Sequence, residues 1–209
     1  MGFNFSYVIG FDANKVENVL QSLISAVDEE SGEGLRLIIP WRAAVSFSKR
    51  IATSEQVGSA RLGFTGMGKA LHCYGNHLCL ALKIPFSRIL QNDFNKHDFR
   101  LDNDSEFVSL GCVWTTINVG EEYGFLSLTA ATSAMSRLFY ESSALRCFVR
   151  DKFLHASRCI LLDVEQDYFY MHFPRFAKIE IADLEEMYFE DSQELSADLL
   201  MKRLLAEAR

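Results

Sequence analysis

The chain has 209 residues, of which 49% are hydrophobic and 12% aromatic, and this composition excludes an intrinsically disordered chain. Its formal net charge of −7 argues against a nucleic-acid partner, because phosphate binding needs clustered Lys and Arg. No apolar run approaches the roughly 20 residues of a membrane span, and five cysteines without a secretory leader pattern predict thiols in a cytoplasmic protein. We therefore expect one globular domain over residues 1–209, with no membrane partner.

The N-terminal part of the chain predicts a strand, a helix and a second strand. Residues 4–11 alternate between apolar and other types, as a strand with one buried face does. From Val16 the apolar residues recur at helical spacing, and Asp12 or Asn14 is the expected N-cap of that helix. Residues 35–39 form a short apolar run that ends at a proline, which predicts a short buried strand.

A β-hairpin is predicted at Gly75-Asn76, because these two residues lie between two runs of alternating apolar residues. The register that follows places His72 opposite Cys79. It also places four polar side chains on one face of the hairpin, namely His72, Tyr74, His77 and Cys79. Tyr74 and His77, at the hairpin end, are candidate contacts for a partner.

Two imidazoles and a thiol on one sheet face are a possible zinc site, with His72, His77 and Cys79 as ligands. The same three groups could instead form a thiolate and its base. Their spacing matches no familiar zinc motif, so we expect packed side chains and no cofactor at this face. Zinc remains the alternative.

The middle of the chain predicts a polar, solvated loop over residues 91–106, with a binding loop or lid as the alternative. Two strands follow, over residues 106–119 and 125–131. The five residues between the strands form the turn. Alternation in the first strand predicts one apolar face, made of Val108, Leu110, Cys112 and Trp114.

A helical region begins at Thr132 and carries two apolar stripes, which Ser142-Ser143 divides into two helices. Three short strands follow, predicted at residues 159–164, 168–173 and 177–181. The chain closes with a helix for which Asp191 is the expected N-cap. Hairpins outnumber β-helix-β units in this order, so we predict an α+β fold with a largely antiparallel sheet and helices on one side or end. The alternative is an α/β fold with a parallel sheet.

An acidic segment precedes the last helix. Eight carboxylates and no Lys or Arg lie between Glu180 and Asp198, with three aromatic or sulfur-containing side chains among them. Charge steers encounter and aromatic side chains anchor contacts, so this segment predicts a surface for a basic protein or for a second copy of the chain. The candidate contacts are Glu185, Glu186, Tyr188, Glu190 and Asp191. A solvated linker is the other interpretation.

Two hypotheses on function follow from these features. The first is a noncatalytic protein-interaction or regulatory domain, homo-oligomeric or bound to another protein, because the sequence contains no complete catalytic motif. The second is a small metal-dependent or thiol hydrolase that uses His72, His77 and Cys79. The sequence leaves both hypotheses open, since catalytic groups often converge from distant segments.

Overall fold

The structure is a computed structural model, and it describes residues 5–27, 36–38, 45–46, 63–65, 78–97, 106–164, 169–172, 184–188 and 196–207. Its strands are β1 (Phe5–Asp12), β2 (Arg36–Ile38), β3 (Val45–Ser46), β4 (Gly63–Thr65), β5 (Leu78–Pro85), β6 (Phe107–Val119), β7 (Tyr123–Ala130), β8 (Cys159–Val164), β9 (Phe169–His172) and β10 (Glu185–Tyr188). Its helices are α1 (Val16–Ser25), α2 (Arg88–Lys96), α3 (Ser133–Glu141), α4 (Ser143–Phe153) and α5 (Ala197–Glu207).

Seven strands form one sheet in the order β10-β9-β8-β1-β7-β6-β5, and every neighbouring pair is antiparallel. A separate antiparallel sheet has the order β3-β2-β4. This arrangement confirms the predicted α+β class. No two paired strands in the described ranges are parallel, so the α/β alternative does not hold for them.

The central strand β1 separates two apolar layers. Its residues Phe5, Tyr7, Ile9 and Phe11 lie in the larger core, which also contains the buried faces of α1 to α4. Val8 faces the opposite side of the sheet and packs in a smaller cluster with α5. The alternation predicted for residues 4–11 is confirmed, and the position of α5 makes the sheet the middle layer of three.

Tyr7 anchors β1 to α3. Its hydroxyl donates a hydrogen bond of 2.6 Å to the Phe139 carbonyl oxygen, and the two rings stack with centroids 4.8 Å apart. Tyr7 has no exposed surface, and this burial raises the pKa of its phenol well above the usual value, although the Arg146 guanidinium acts in the opposite direction. The buried hydroxyl is therefore neutral and its hydrogen bond is permanent over the physiological pH range.

Helix α1 confirms the predicted apolar stripe, since Val16, Val19, Leu20, Leu23 and Ile24 are all buried. The predicted N-cap is wrong. Among the described residues no side chain caps α1, and Asp12 instead accepts a hydrogen bond of 2.8 Å from Nε of Arg158. An ion pair across 146 residues of sequence competes here with a local backbone bond.

The predicted apolar face of β6 is wrong beyond its midpoint. Leu82 pairs with Leu110 and Leu80 pairs with Val113, so residues 111 and 112 lie opposite residue 81. This β-bulge reverses the alternation, and Val113 rather than Trp114 is fully buried. A bulge depends on the partner strand, which a period-2 pattern in one strand does not reveal.

The predicted loop over residues 91–106 is wrong in its first part, where α2 lies. Ser87 caps this helix by accepting a bond from the Leu90 amide at 3.1 Å. Only Leu90 and Phe94 form its buried apolar contacts, a pattern too sparse to identify from the sequence. Residues 98–105 lie outside the described ranges.

Ser142 divides α3 from α4, as predicted. Its hydroxyl accepts a bond from the Leu145 amide at 3.2 Å and donates one to Oδ2 of Asp93 at 2.7 Å. One buried hydroxyl therefore caps α4 and ties it to α2.

The C-terminal elements agree with the sequence in part. Strand β8 matches its predicted range, and β9 lies within its own, whereas residues 177–181 are outside the described ranges. The predicted start of the last helix at Asp191 is wrong, because α5 begins at Ala197 after Ser196, whose hydroxyl accepts a bond from the Leu199 amide. The apolar side of α5 is buried at Ala197, Leu200, Met201 and Leu204, and Leu205 is partly buried.

Candidate docking groove beside helix α2

The site with the strongest claim to function is a hollow where the end of β5 meets the start of α2 and the outer side of α4. Its volume is about 520 Å³. Six apolar side chains make up most of its lining, namely Ile84, Pro85, Ile89, Leu90, Ala144 and Phe148. Ser87, Ser143 and the Cys147 thiol add three small polar groups. We call this hollow the apolar hollow.

The walls of the apolar hollow are held by the core. Ile84 is buried in the sheet and Leu90 in the first turn of α2, so both lie in the floor of the hollow with almost no exposed surface. Phe148 belongs to the buried face of α4. The bond between Ser142 and Asp93 then sets the distance between the two helices. These contacts make the hollow largely preformed, as ligand and partner sites commonly are.

The rim of the apolar hollow carries one paired carboxylate and one ammonium that forms no ion pair within the described ranges. Asp151 is paired with Arg150, whose Nη2 lies 2.8 Å from its carboxylate. The neighbouring Lys152 contacts a hydroxyl, Oγ of Ser25, at 3.4 Å, and its ammonium lies 5.9 Å from the ring centroid of Phe148. Within the described ranges, no carboxylate forms an ion pair with Lys152. The rim therefore presents one cation without a counter-charge among the residues described.

A second hollow lies on the outer surface of α2. It has a volume of about 640 Å³ and is lined by Asn92, Asp93, Asn95 and Lys96 as well as Ile89. Ile89 belongs to both linings and is 59% exposed, so it forms an apolar ridge between an apolar and a polar hollow. We call the two hollows and this ridge the α2 groove.

A histidine ties the far end of α2 to α3. Nε2 of His97 lies 3.2 Å from a carboxylate oxygen of Glu141, and the His97 side chain is 8% exposed. Among the residues that the structure describes, this nitrogen forms no hydrogen bond. This contact lies at the last turn of both helices, and it supports the orientation of α2 beside the groove.

The predicted site around the Gly75-Asn76 hairpin falls mainly outside the described residues. His72, Tyr74 and His77 are among those residues, and so is the hairpin turn. Cys79 lies in β5, where its Cα partner on β6 is Trp114. The proposed opposition of His72 and Cys79 therefore stays a prediction. Among the described residues, no three His, Cys, Asp or Glu side chains lie close enough together to hold a metal ion.

The strand register continues the row of Cys79 across the sheet. Trp114 pairs with Thr129, Thr129 with Ser6, and Ser6 with Asp163. Ser6 and Thr129 join their hydroxyls in a hydrogen bond of 2.8 Å. Ser6 is buried on the face of the sheet that carries α5, and this hydrogen bond satisfies its hydroxyl without a ligand.

Only three of the five candidate contacts in the acidic segment lie in described residues. Glu185, Glu186 and Tyr188 lie in β10, whereas Glu190 and Asp191 are outside the described residues. Glu185 is aligned with His172, and Glu186 with Met171. The predicted surface for a basic protein or for a second copy of the chain stays a prediction.

The sequence did not indicate the α2 groove as a site. Lys152 belongs to a basic set with Arg137, Arg146, Arg150 and Arg158, which indicates the solvated face of a helix or, as the alternative, a small patch that steers an anionic ligand. Ile89 precedes a stretch interpreted as a loop. One local signal was available, since Ser87 begins the pattern of a capped helix with Leu90 at its third position. No local pattern in the sequence indicates that β5, α2 and α4 meet.

Comparison of the chain with known protein families, with characterised proteins and with solved structures gives no significant match. None of the helices in the described ranges combines the length and the apolar character that crossing a membrane would require. The function is therefore inferred from the geometry of the chain itself.

Proposed function

We propose that this protein is a noncatalytic interaction domain that binds a partner protein across the α2 groove. The observation that carries the proposal is the position of Ile89, a large apolar side chain 59% exposed on a ridge between two hollows. A partner that covers this ridge fills a hollow on each side of it. Such an anchor surrounded by concave surface is the usual centre of a protein interface.

The chemistry of the two hollows supports a protein partner. The apolar hollow offers about 520 Å³ for apolar side chains, and the outer hollow offers amide and charged groups for hydrogen bonds. An apolar centre with a polar margin is the common anatomy of protein interfaces. The predicted hydrolase stays a prediction, because His72 and His77 lie outside the described residues.

The test uses two arginine variants with matched exposure. Ile89→Arg places a charge on the ridge, while Leu199→Arg changes a 54% exposed leucine on α5, on the other face of the sheet. Both sites are exposed, so both variants should fold as the parent does, which circular dichroism checks. Proteins cross-linked to each form in extracts of its native cells are then quantified by mass spectrometry, and sedimentation measures self-association.

We expect Ile89→Arg to weaken association with a specific partner by on the order of tenfold or more, because loss of an interface anchor costs about 2 kcal/mol. Leu199→Arg should retain that partner. If the two variants and the parent bind the same proteins to the same extent and have the same mass in solution, the α2 groove is not a docking surface.

A further inference from the structure

The apolar hollow and Lys152 together have the features of a site for an amphiphilic small molecule. We propose that this hollow binds a medium-chain monocarboxylate, with the hydrocarbon chain against Pro85, Ile89 and Ala144 and the carboxylate at the Lys152 ammonium. A partner protein that covers Ile89 would occupy the same hollow and compete with this ligand, so binding of the ligand is measured on the protein alone.

Size and lining favour the hydrocarbon chain. A volume of about 520 Å³ falls within the range of about 300–1,000 Å³ that ligand sites occupy. Apart from Asp151 and Lys152 at the rim, the polar side chains of the lining are two hydroxyls and a thiol, which are too few to satisfy a sugar or a nucleotide. Transfer of methylene groups from water to such a lining is favourable by about 0.8 kcal/mol each.

Charge at the rim selects the headgroup. Arg150 neutralises Asp151 at 2.8 Å, so this carboxylate does not compete for Lys152. The ammonium of Lys152 lies 5.9 Å from the Phe148 ring centroid, directly beside the apolar lining. A positively charged headgroup would be repelled there, and a neutral one would gain nothing from the ammonium. A single negative charge complements the one cation that has no counter-charge within the described ranges.

Cys147 provides a local reporter of occupancy, because its half-buried thiol lines the apolar hollow. Decanoate, below the concentration at which it forms micelles, is the probe. We expect it to slow alkylation of Cys147 by iodoacetamide, measured on the Cys147 peptide by mass spectrometry, and to bind saturably in titration calorimetry. The dissociation constant of octanoate should be roughly tenfold higher, since two fewer methylene groups are buried.

Two variants separate the charge from the hollow. Lys152→Gln should weaken decanoate binding about two- to fivefold, the range of a solvent-accessible ion pair, and leave binding of decanol unchanged. Lys96→Gln is the matched control, because it removes the same charge from the other hollow and should change neither ligand. Ala144→Phe fills the apolar hollow and should abolish binding of both, with circular dichroism as the check on folding.

Three results would overturn the proposal. The first is the absence of saturable decanoate binding at the parent protein. The second is equal binding of octanoate and decanoate, because the chain would then not be buried. The third is an equal loss of decanoate binding in Lys152→Gln and Lys96→Gln, which would show attraction to net charge only.

Discussion

Oδ1 of Asp198 lies 2.8 Å from the backbone amide nitrogen of Tyr123, and this bond joins α5 to the turn between β6 and β7. The amides of Glu121 and Glu122 donate to the same carboxylate at 2.9 and 3.0 Å. A Cβ at Gly120 would come within 2.6 Å of this carboxylate, so only glycine lets the turn close around it. One side chain near the start of α5 thus satisfies three amides that the hairpin turn leaves unpaired.

Replacing Asp198 should loosen α5. Asp198→Ala removes three charge-assisted hydrogen bonds, and we expect it to lower the free energy of unfolding by about 1–2 kcal/mol in urea titrations. Glu121→Gln, on the same exposed turn, is the control and should change it by less than about 0.5 kcal/mol. Equal effects of the two variants would show that the carboxylate does not hold the helix.

The same carboxylate predicts a pH dependence. Desolvation raises the pKa of Asp198, but hydrogen bonds from the amides of Tyr123, Glu121 and Glu122, with Lys202 nearby, outweigh it and hold this pKa below its usual value. Its contribution to stability is therefore complete above the unfolded pKa of about 3.9 and is lost as the pH falls through the lower folded pKa. The stability difference between the parent and Asp198→Asn should shrink between pH 5 and pH 3. A difference that stays constant over this interval would contradict the prediction.

Gly10 on β1 marks a close approach of α5 to the sheet. A Cβ at this position would meet Cε of Met201 and would lie 2.6 Å from Sγ of Cys159. Gly10→Ala should therefore cost about 1–3 kcal/mol of unfolding free energy through overcrowding. Met201→Ala should cost about 2–5 kcal/mol through the cavity that it leaves.

The double variant Gly10→Ala, Met201→Ala tests whether these two side chains share the same space. Its loss of stability should be smaller than the sum of the two single losses, because the added methyl group occupies part of the cavity. Chemical denaturation of all four proteins gives the coupling energy. If the two single losses simply add, the methyl group at residue 10 does not crowd the Met201 side chain.

Ser142 predicts a larger effect than an ordinary helix cap. Ser142→Ala removes both the cap of α4 and the only hydroxyl bonded to Oδ2 of the buried Asp93 at 2.7 Å among the contacts described, so we expect a loss of about 2–3 kcal/mol. Thr132→Ala is the matched control, because Thr132 caps α3 through a bond of 3.2 Å and binds no carboxylate in the described ranges. It should cost about 1 kcal/mol in the same unfolding experiment. Similar losses in the two variants would show that the bond to Asp93 contributes nothing.

Local periodicity predicted the strands whose side chains alternate between the core and the solvent. It also predicted the helices whose buried side chains recur at helical spacing. The alternation of residues 4–11 identified β1, and the apolar spacing from Val16 identified α1. In both elements enough positions are buried to leave a regular pattern in the sequence, because buried positions require apolar residues. The same reason explains why β8 matched its predicted range.

Long-range contacts decided the rest, because they have no fixed spacing in the sequence. The bulge in β6 exists only in relation to β5, and the partner of Asp198 lies 75 residues away. Helix α2 has too few apolar residues to produce a periodic signal, yet Ser87 and the contact with Ser142 hold it. Composition and alternation therefore determined the α+β class. Only the packing of β5, α2 and α4 created the hollow beside Lys152, because this concave surface forms where the three elements meet.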